Sequence, residues 1–291
     1  TPVGQSAWTY VPGTLLMASE TIDGERTIYG YDGEMRLLST TRAVSGSLQL
    51  TEGRIYAGDR EVGRVDPYGR RTFVVRDAEE RQVRVVRERL PGAVPAGADL
   101  AALPRVGGAD PAYVIEDTAY DAAGQVVSRR DGNGNQTDLG YDALARVSEI
   151  REAVGTGHLA VTAYSYDAAG NRIRVSGPRS WTTVGGVTAP IQTAMAYTGR
   201  NLLARVTEAA GSPEETIVRA VEYTATRKIA AEWDANQAGK APADPGRVAT
   251  RYDYGGCCDR LKTVIDAAGF QTEFAYDHVG NRSEVRDALA L

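Results

Sequence analysis

Residues 120–142 read YDAAGQVVSRRDGNGNQTDLGYD, and this stretch decides the fold. A Tyr-Asp pair stands at each end, and the two pairs are 21 residues apart. Between them, Asp131 and Gly134 take the first and fourth positions of a type I turn. The Asp side chain caps backbone N–H groups there, and Gly accepts the left-handed conformation that follows. The stretch therefore predicts short strands joined by tight turns, with no helix between them.

The same motif recurs along the chain, so the sequence is a tandem repeat. Tyr-Asp pairs are Tyr31-Asp32, Tyr120-Asp121, Tyr141-Asp142, Tyr166-Asp167, Tyr252-Asp253 and Tyr276-Asp277. Asp-x-x-Gly strings begin at Asp66, Asp121, Asp131, Asp167, Asp253, Asp266 and Asp277, which places Gly124, Gly170 and Gly280 at fourth positions. These Tyr, Asp and Gly residues are the predicted structural positions of each repeat.

A second spacing connects the strands to the turns. Thr stands four residues before Tyr at Thr27/Tyr31, Thr137/Tyr141, Thr162/Tyr166, Thr193/Tyr197 and Thr272/Tyr276. Strand side chains alternate between two faces, so this spacing places Thr and Tyr on the same face. β-branched and aromatic residues both favour such a surface. The excess of 15 Tyr over 3 Phe is therefore positional, and we predict an all-β protein of tandem antiparallel hairpins.

Departures from the repeat divide the chain into regions. We predict a lead-in strand at 1–19, degenerate repeats at 20–89, and an insertion rich in Pro, Gly and Ala at 90–112. A repeat array follows at 113–291, with two further insertions near 177–191 and 235–247. All three insertions are interpreted as exposed loops, and the first has a short helical pattern at Asp99–Leu103. We interpret both ends of the sequence as cuts through a longer chain.

Composition and charge argue against most kinds of chemistry. The net charge is −5, which makes nucleic acid a poor partner, and no apolar run reaches the roughly 18 residues of a membrane span. With two His and two Cys, zinc sites and disulfide frameworks are disfavoured. The loop that starts at Asp131 resembles a calcium loop, but Gln136 occupies the position that requires Gly. We predict no catalytic residue, no cofactor and no metal site.

Cys257 and Cys258 are neighbours in the sequence. Consecutive Cα atoms lie about 3.8 Å apart, which is shorter than the usual disulfide minimum of about 4.4 Å. We therefore expect two free thiols, with an intermolecular bond as the alternative in an oxidising compartment. His158 and His278 both lie in turn-like sequence and are expected to be exposed.

These motifs resemble the YD repeat of the Rhs family, and the resemblance covers most of residues 20–287. Members include bacterial Rhs toxins, the C subunits of Tc toxins and teneurins. The resemblance implies a curved or spiralling sheet that forms part of a hollow β-shell. Bacterial members carry a core motif built around Asp-Pro-x-Gly-Leu and then cleave themselves. Here Asp66-Pro67-Tyr68-Gly69 is followed by Arg70, which favours an ordinary turn over a cleavage site.

The resemblance implies a function of containment. We expect a non-enzymatic, structural segment of a bacterial shell that encapsulates a toxin or other cargo, secreted or held at the cell surface. Its partners would be the remainder of a larger chain and the enclosed cargo. The alternative is an adhesion or fibre-forming module, whose copies pair through sheet edges and whose Tyr rings bind carbohydrate.

Overall fold

In a computed structural model, the structure describes residues 6–45, 48–106, 108, 111–155, 157–182, 186, 188–235, 248–255 and 259–287. All 22 elements with described bounds are β-strands. Residues 236–247 and both cysteines lie outside the described residues, so the predictions for them stay untested. Within the described ranges, no helix has the length and apolar character that a bilayer crossing requires.

The chain divides into two compact units, Thr1–Asp138 with Glu152–Thr156, and Leu139–Arg151 with Gly157–Leu291. The first unit contains β1 (Ser6–Tyr10), β2 (Met17–Ile22), β3 (Glu25–Tyr31), β4 (Leu37–Ser45), β5 (Leu48–Ala57), β6 (Arg60–Val65), β7 (Arg71–Arg76), β8 (Gln82–Glu88), β9 (Tyr113–Tyr120) and β10 (Val126–Arg130). Two strands contain the division points, β11 (Gln136–Tyr141) and β12 (Val147–Glu152). The second unit contains β13 (Ala160–Tyr166), β14 (Arg172–Thr182), β15 (Thr188–Tyr197), β16 (Leu203–Glu208), β17 (Thr216–Tyr223), β18 (Ile229–Trp233), β19 (Thr250–Gly255), β20 (Arg260–Ile265), β21 (Gln271–Tyr276) and β22 (Arg282–Asp287).

Strands pair antiparallel with the next strand along the chain. This holds from β1 to β11 and again from β13 to β22. Short connections of this kind need tight turns, which the Asp-x-x-Gly strings supply. The prediction of an all-β chain of tandem antiparallel hairpins is confirmed.

A β-bulge lies beside each repeat Tyr. Tyr166 pairs with Arg172 and Tyr276 with Arg282, and the register shifts by one residue directly before each Tyr. The fourth turn position, two residues before β14, takes a left-handed backbone, with φ of 89° at Gly170. The turn and the bulge together let each hairpin close over the same number of residues.

The core of the first unit is a row of side chains that crosses five strands. The row runs Ile55, Gly63, Phe73, Val86, Ile115, each paired with the next. Gly63 is required at its place because an added Cβ would lie 2.6 Å from the carbonyl oxygen of Thr72. Val86 is fully buried at 0% exposure, so something must cover this face of the sheet.

The cover comes from the first insertion, whose residues 89–106 we call the cover segment. Val94 is 1% exposed, and Leu100 and Leu103 pack against the same cluster as Phe73 and Ile115. The interpretation of this insertion as an exposed loop is therefore wrong. The underlying sheet presents a continuous apolar row, and the insertion supplies the apolar side chains that remove it from water.

The predicted helix at Asp99–Leu103 is also wrong, because the segment forms a single turn. Asp99 Oδ1 accepts the backbone N–H of Ala101 at 3.0 Å, which satisfies the first donor of a helix without continuing it. The carbonyl groups of residues 100, 101 and 103 accept from the Arg84 side chain instead of from later amides. A side chain from the sheet thus outcompetes helix propagation.

Two other regions differ from the prediction. Near 177–191, the described residues 177–182 and 188–191 lie in the paired strands β14 and β15, with a register shift between Ser176 and Ser180. The lead-in region contains a hairpin, β1 with β2, in place of a single strand. In both regions the missing Asp-x-x-Gly signal concealed a strand, because strand pairing needs no particular turn sequence.

Candidate functional site

The repeat turn is organised by the Asp carboxylate at its first position. Asp142 Oδ1 accepts the backbone N–H groups of Leu144 and Arg146 at 2.9 and 3.0 Å. Its Oδ2 accepts the Arg146 guanidinium at 2.7 Å. The backbone closes the same turn, since the Ala145 N–H donates to the Asp142 carbonyl oxygen at 3.0 Å. The Asp thus replaces the missing hydrogen bonds of the turn amides, as the spacing predicts.

The residue four positions after the Asp varies between two main types. Arg donates to the carboxylate in the turns of Asp32, Asp66, Asp77 and Asp142. Asn donates its side-chain amide in the turns of Asp131, Asp167 and Asp277. The calcium-like loop is one of these Asn turns, and its Asp131 oxygens accept from Asn133 and Asn135. The turn contacts therefore account for the residues that suggested a cation.

These contacts keep the turn carboxylates ionised. The backbone N–H of Arg146, with its side chain, lowers the pKa of Asp142. The side-chain amide of Asn171 lowers the pKa of Asp167 in the same way. Burial alone would raise the pKa of Asp32, but the hydrogen bonds and charge of Arg36 outweigh burial and lower it. At neutral pH these three Asp carboxylates are therefore ionised, and their own donors stabilise the charge.

The Tyr that precedes a turn connects one repeat to the one before it. The Tyr166 hydroxyl donates to the carbonyl oxygen of Val147 at 2.7 Å. The Arg146 guanidinium carbon lies 4.5 Å from the centre of the Tyr166 ring. Arg146 therefore contacts its own turn through Asp142 and the next repeat through Tyr166. We call this set of Asp, Arg and Tyr the repeat joint.

The full joint recurs as Asp32/Arg36/Tyr56 and Asp77/Arg81/Tyr120, and its Arg–Tyr and Tyr–carbonyl contacts occur in both units. Arginine lies over a Tyr ring in the pairs Arg36/Tyr56, Arg81/Tyr120 and Arg260/Tyr276, at 4.7, 4.8 and 5.4 Å. Tyrosine hydroxyls donate to backbone carbonyl oxygens in Tyr31→Met17, Tyr56→Leu37, Tyr120→Gln82, Tyr197→Arg172, Tyr223→Leu203 and Tyr276→Leu261. These Tyr residues, several of which the Thr-Tyr spacing places on one strand face, are therefore hydrogen-bonded to the preceding repeat.

Most of the predicted repeat residues lie at these positions. Tyr31, Tyr120, Tyr141, Tyr166 and Tyr276 end β3, β9, β11, β13 and β21, and Asp32, Asp121, Asp142, Asp167 and Asp277 follow them directly. Gly124, Gly170 and Gly280 have φ of 84°, 89° and 102°. Each predicted Gly thus has the left-handed backbone that the turn requires.

One predicted pair is displaced. Asp253 lies inside β19, where it pairs with Thr263, so it begins no turn. The joint position belongs to Tyr254, whose ring lies 4.9 Å from the Lys228 ammonium group. Residues two apart share a strand face, so Tyr252 and Tyr254 both fit the pattern. Thr250 stands four residues before Tyr254, and this spacing would have identified the correct residue.

Tyr252 makes a different contact. Its hydroxyl donates to Glu232 Oε1 at 2.6 Å, and Arg219 pairs with the other carboxylate oxygen at 3.0 Å. Burial and the Glu232 hydrogen bond raise the pKa of Tyr252 to about 12. The phenol therefore stays a donor across the ordinary pH range.

A buried ion pair between Glu88 and Arg71, which no sequence pattern indicated, holds the cover segment. The Glu88 side chain has 0% exposure. Its Oε1 accepts from Arg71 Nη2 at 2.6 Å and from the Val94 N–H at 2.8 Å, and its Oε2 accepts from the Arg71 N–H and Nε. Burial opposes ionisation, but these donors lower the pKa of Glu88 to about 2. All four acceptor contacts are satisfied, as a buried carboxylate requires.

A second set of polar contacts holds the C-terminal end of the cover segment. Asp117 accepts from Arg84 at 2.7 Å and from Arg105 at 2.8 Å, one on each oxygen. Tyr113 donates its hydroxyl to the Pro104 carbonyl oxygen at 2.9 Å. The cover segment is thus attached by polar contacts at both ends of its apolar contact with the sheet.

The remaining candidate residues lie in ordinary turns. Asp66 accepts the backbone N–H groups of Tyr68 and Arg70 at 3.0 and 2.9 Å, so the Asp-Pro-x-Gly string is a repeat turn. His158 and His278 are both exposed. The arrangement is one of repeated structural contacts along the sheet.

Comparison with known proteins identifies related sequence and fold. Residues 120–156 match the RHS Repeat family model. Three solved structures share the fold. They are crystal structures of TcdB2-TccC3-TEV and of TcdB2-TccC3 without hypervariable C-terminal region, and a Photorhabdus luminescens Tc holotoxin pore with a TccC3 mutation. TM-scores are 0.62, 0.60 and 0.60 at 14%, 14% and 13% identity.

These matches differ greatly in length from the present sequence. They cover 98%, 94% and 94% of this chain but 15%, 14% and 14% of theirs. At that identity they establish the shared fold. A search of curated proteins found no match.

Proposed function

We propose that the chain is a non-catalytic segment of an Rhs-type shell wall that encloses a toxin or other cargo. Residues 120–156 match the RHS Repeat family model and the fold is shared with Tc-toxin structures, which supports this proposal. The observation that carries this proposal is the hydrogen bond from a repeat Tyr to a carbonyl oxygen of the preceding repeat, which recurs in both units. A repeated joint lets a sheet extend by identical steps, which is what a wall requires.

The mechanism is steric. Backbone hydrogen bonds between neighbouring strands close the gaps through which solvent or a protease would pass. The joint side chains form structural contacts. Asp142 accepts hydrogen bonds from its turn amides, and Tyr166 donates to a backbone carbonyl group. We infer that these residues maintain the wall and take no part in a reaction.

The partners follow from the length of the relatives. The chain spans about one seventh of the matched Tc-toxin chains, so we propose that the rest of a longer chain completes the shell. One matched structure is described as lacking a hypervariable C-terminal region. We propose that the longer bacterial protein carries a comparable region as its cargo, and that it is secreted or displayed at the cell surface.

Protease protection tests this function in the natural full-length protein. Cargo within a closed wall should survive protease treatment under native conditions and be digested after unfolding in denaturant. The matched control is the same C-terminal region expressed without the wall, which should be digested at once. Equal digestion of the two would contradict containment. Fibres that grow with concentration in light scattering and microscopy would instead support the adhesion module.

A further inference from the structure

An exposed pair of aromatic side chains lies on β1, in the first unit. Trp8 and Tyr10 are 52% and 55% exposed. They stand two residues apart on one strand, so their rings lie on the same face of the sheet. The repeat Tyr rings are used differently, since Tyr166 donates to a backbone carbonyl group and lies beneath the Arg146 guanidinium. The two rings on β1 are therefore aromatic surface that the repeat contacts do not use.

Polar side chains continue from Trp8 across the next three strands. Trp8 pairs with Glu20, Glu20 with Thr27, and Thr27 with Arg42. We call Glu20, Thr27 and Arg42 the polar row. Directly paired residues share a face and neighbouring strands lie about 4.8 Å apart, so Trp8 and the polar row together span about 14 Å. Tyr29 donates its hydroxyl to Glu20 Oε1 at 2.6 Å, and Oε2 accepts no hydrogen bond within the described residues.

The polar row lines a shallow depression in the surface of the sheet. The depression has a volume of about 490 Å³, and the turn between β2 and β3 contributes the rest of its lining, Ile22, Asp23 and Glu25. A second depression of about 190 Å³ lies farther along the same face, where Thr40 pairs with Glu52. Thr40 and Arg42 are two residues apart on β4, which places both depressions on one face. This face can therefore hold a ligand longer than a single small ring.

The opposite face of the same sheet carries the cover segment. Ile55 packs against the apolar cluster beneath that segment. Glu52 stands three residues before Ile55 on β5, and an odd spacing along a strand places the two side chains on opposite faces. The cover segment therefore leaves the face of Trp8 and the polar row uncovered. A strand added beside β1 would pair with its edge and leave this face open as well.

We propose that this face of the first unit binds a neutral, extended glycan, with Trp8 and Tyr10 against the sugar rings and the polar row at the hydroxyl groups. A pyranose ring presents an apolar C–H face and a rim of hydroxyl groups, which an aromatic ring beside polar side chains complements. The polar row offers a carboxylate acceptor together with guanidinium and hydroxyl donors. Three carboxylates and one guanidinium line the larger depression, which disfavours an acidic glycan. The binding is independent of cargo enclosure, because it uses no residue of the repeat joint.

Affinity electrophoresis of the full chain tests the proposal. The gels contain hydroxyethylcellulose or galactomannan as neutral polymers, or heparin as an acidic one, and we expect a neutral polymer to retard the wild-type chain. The combined substitutions Trp8→Ala and Tyr10→Ala, which we call the ring variant, should weaken this binding on the order of tenfold. The matched control is Tyr68→Ala, which removes a ring that is 73% exposed elsewhere in the same unit and should retain binding.

Tryptophan fluorescence provides a second measurement that does not depend on the ring variant. The neutral polymer that retards the chain should change its emission, and Trp8→Phe, which keeps an aromatic ring, should abolish that change. Circular dichroism and melting temperature must show that each variant folds. The proposal is overturned if neither neutral polymer retards the chain, if the ring variant is retarded as strongly as the wild type, or if the emission change persists in Trp8→Phe. Retardation by heparin that requires Trp8 and Tyr10 would also overturn it, because the ligand would then be an acidic glycan.

Discussion

At the scale of single residues, the fourth turn position decides how well each repeat closes. The turns place this residue in the left-handed region whether or not it is Gly, as Met35, Glu80 and Ala145 show with φ of 63° each. The hydrogen bonds of the turn Asp fix this backbone conformation, so a residue with a side chain adopts it as well. The sequence pattern found the Gly turns through Asp-x-x-Gly, and the Tyr-Asp pairs marked the turns of Asp32 and Asp142.

Ala145→Gly should therefore stabilise the protein. A non-Gly residue in the left-handed region costs about 1–2 kcal/mol, and the greater freedom of Gly in the unfolded chain returns part of that. We expect a net gain of about 0.5–1 kcal/mol, or a melting temperature higher by about 1–3 °C. Thermal unfolding by circular dichroism measures it. Gly170→Ala, at the equivalent position with φ of 89°, should shift the temperature in the opposite direction.

The buried Glu88 carboxylate makes the free energy of unfolding depend on pH. The donors around Glu88 lower its folded pKa to about 2, from an ordinary value of 4.5. The resulting stabilisation is present above pH 4.5 and is lost as the pH falls through that value toward 2. The difference corresponds to roughly 3 kcal/mol.

Chemical denaturation between pH 6 and pH 3 measures this contribution. Glu88→Gln should be less stable than the wild type at pH 6, and its loss of stability on acidification should be smaller. Glu34→Gln, in a side chain that is 67% exposed, should follow the wild type. An unchanged acid profile in Glu88→Gln would show that other carboxylates dominate.

At the scale of strands, two kinds of contact join neighbouring strands. One is the hydrogen bond from a Tyr hydroxyl to the preceding repeat, and the other is the apolar row across β5 to β9. The period of Thr and Tyr in the sequence predicts the shared strand face of these Tyr residues, and the structure adds the hydroxyl bond. The second depends on Gly63, whose missing side chain makes room for Phe73. No local pattern marks it, because the constraint comes from a neighbouring strand.

Tyr166→Phe should weaken one joint without altering its packing. The substitution leaves the Val147 carbonyl oxygen without the phenol donor that now lies at 2.7 Å. We expect a loss of about 0.5–1.5 kcal/mol in the free energy of unfolding, measured by urea denaturation. Tyr68→Phe, in a residue that is 73% exposed, should have no measurable effect.

Gly63→Ala should destabilise the first unit. The added Cβ would lie 2.6 Å from the Thr72 carbonyl oxygen and 3.1 Å from the Phe73 ring, so the strands must move apart. Overpacking of this kind costs about 1–3 kcal/mol. Gly33→Ala introduces the same group where no atom lies within 4 Å, and it should be close to neutral in the same denaturation assay. A neutral Gly63→Ala would show that the row is loosely packed.

At the scale of the molecule, both units rely on repeated local contacts more than on a large core. In the described part of the chain, nine hydrophobic residues are buried, and six of them lie between Phe73 and Ile115. The cover segment creates that concentration. Elsewhere turns, joints and strand pairing supply the order, as in other repeat proteins whose repeats contact only their neighbours.

The sequence by itself determined the strand-and-turn repeat, most joint residues and the resemblance to the YD repeat, because these follow from short-range rules: two-residue alternation and four-residue turns. Only the tertiary structure decided that residues 89–106 cover the sheet, that Glu88 is buried with Arg71, and that Tyr254 takes the joint position. It also showed that residues 177–182 and 188–191 lie in strands. These features depend on which distant residues meet across the sheet, and contacts between strands leave no period in the sequence.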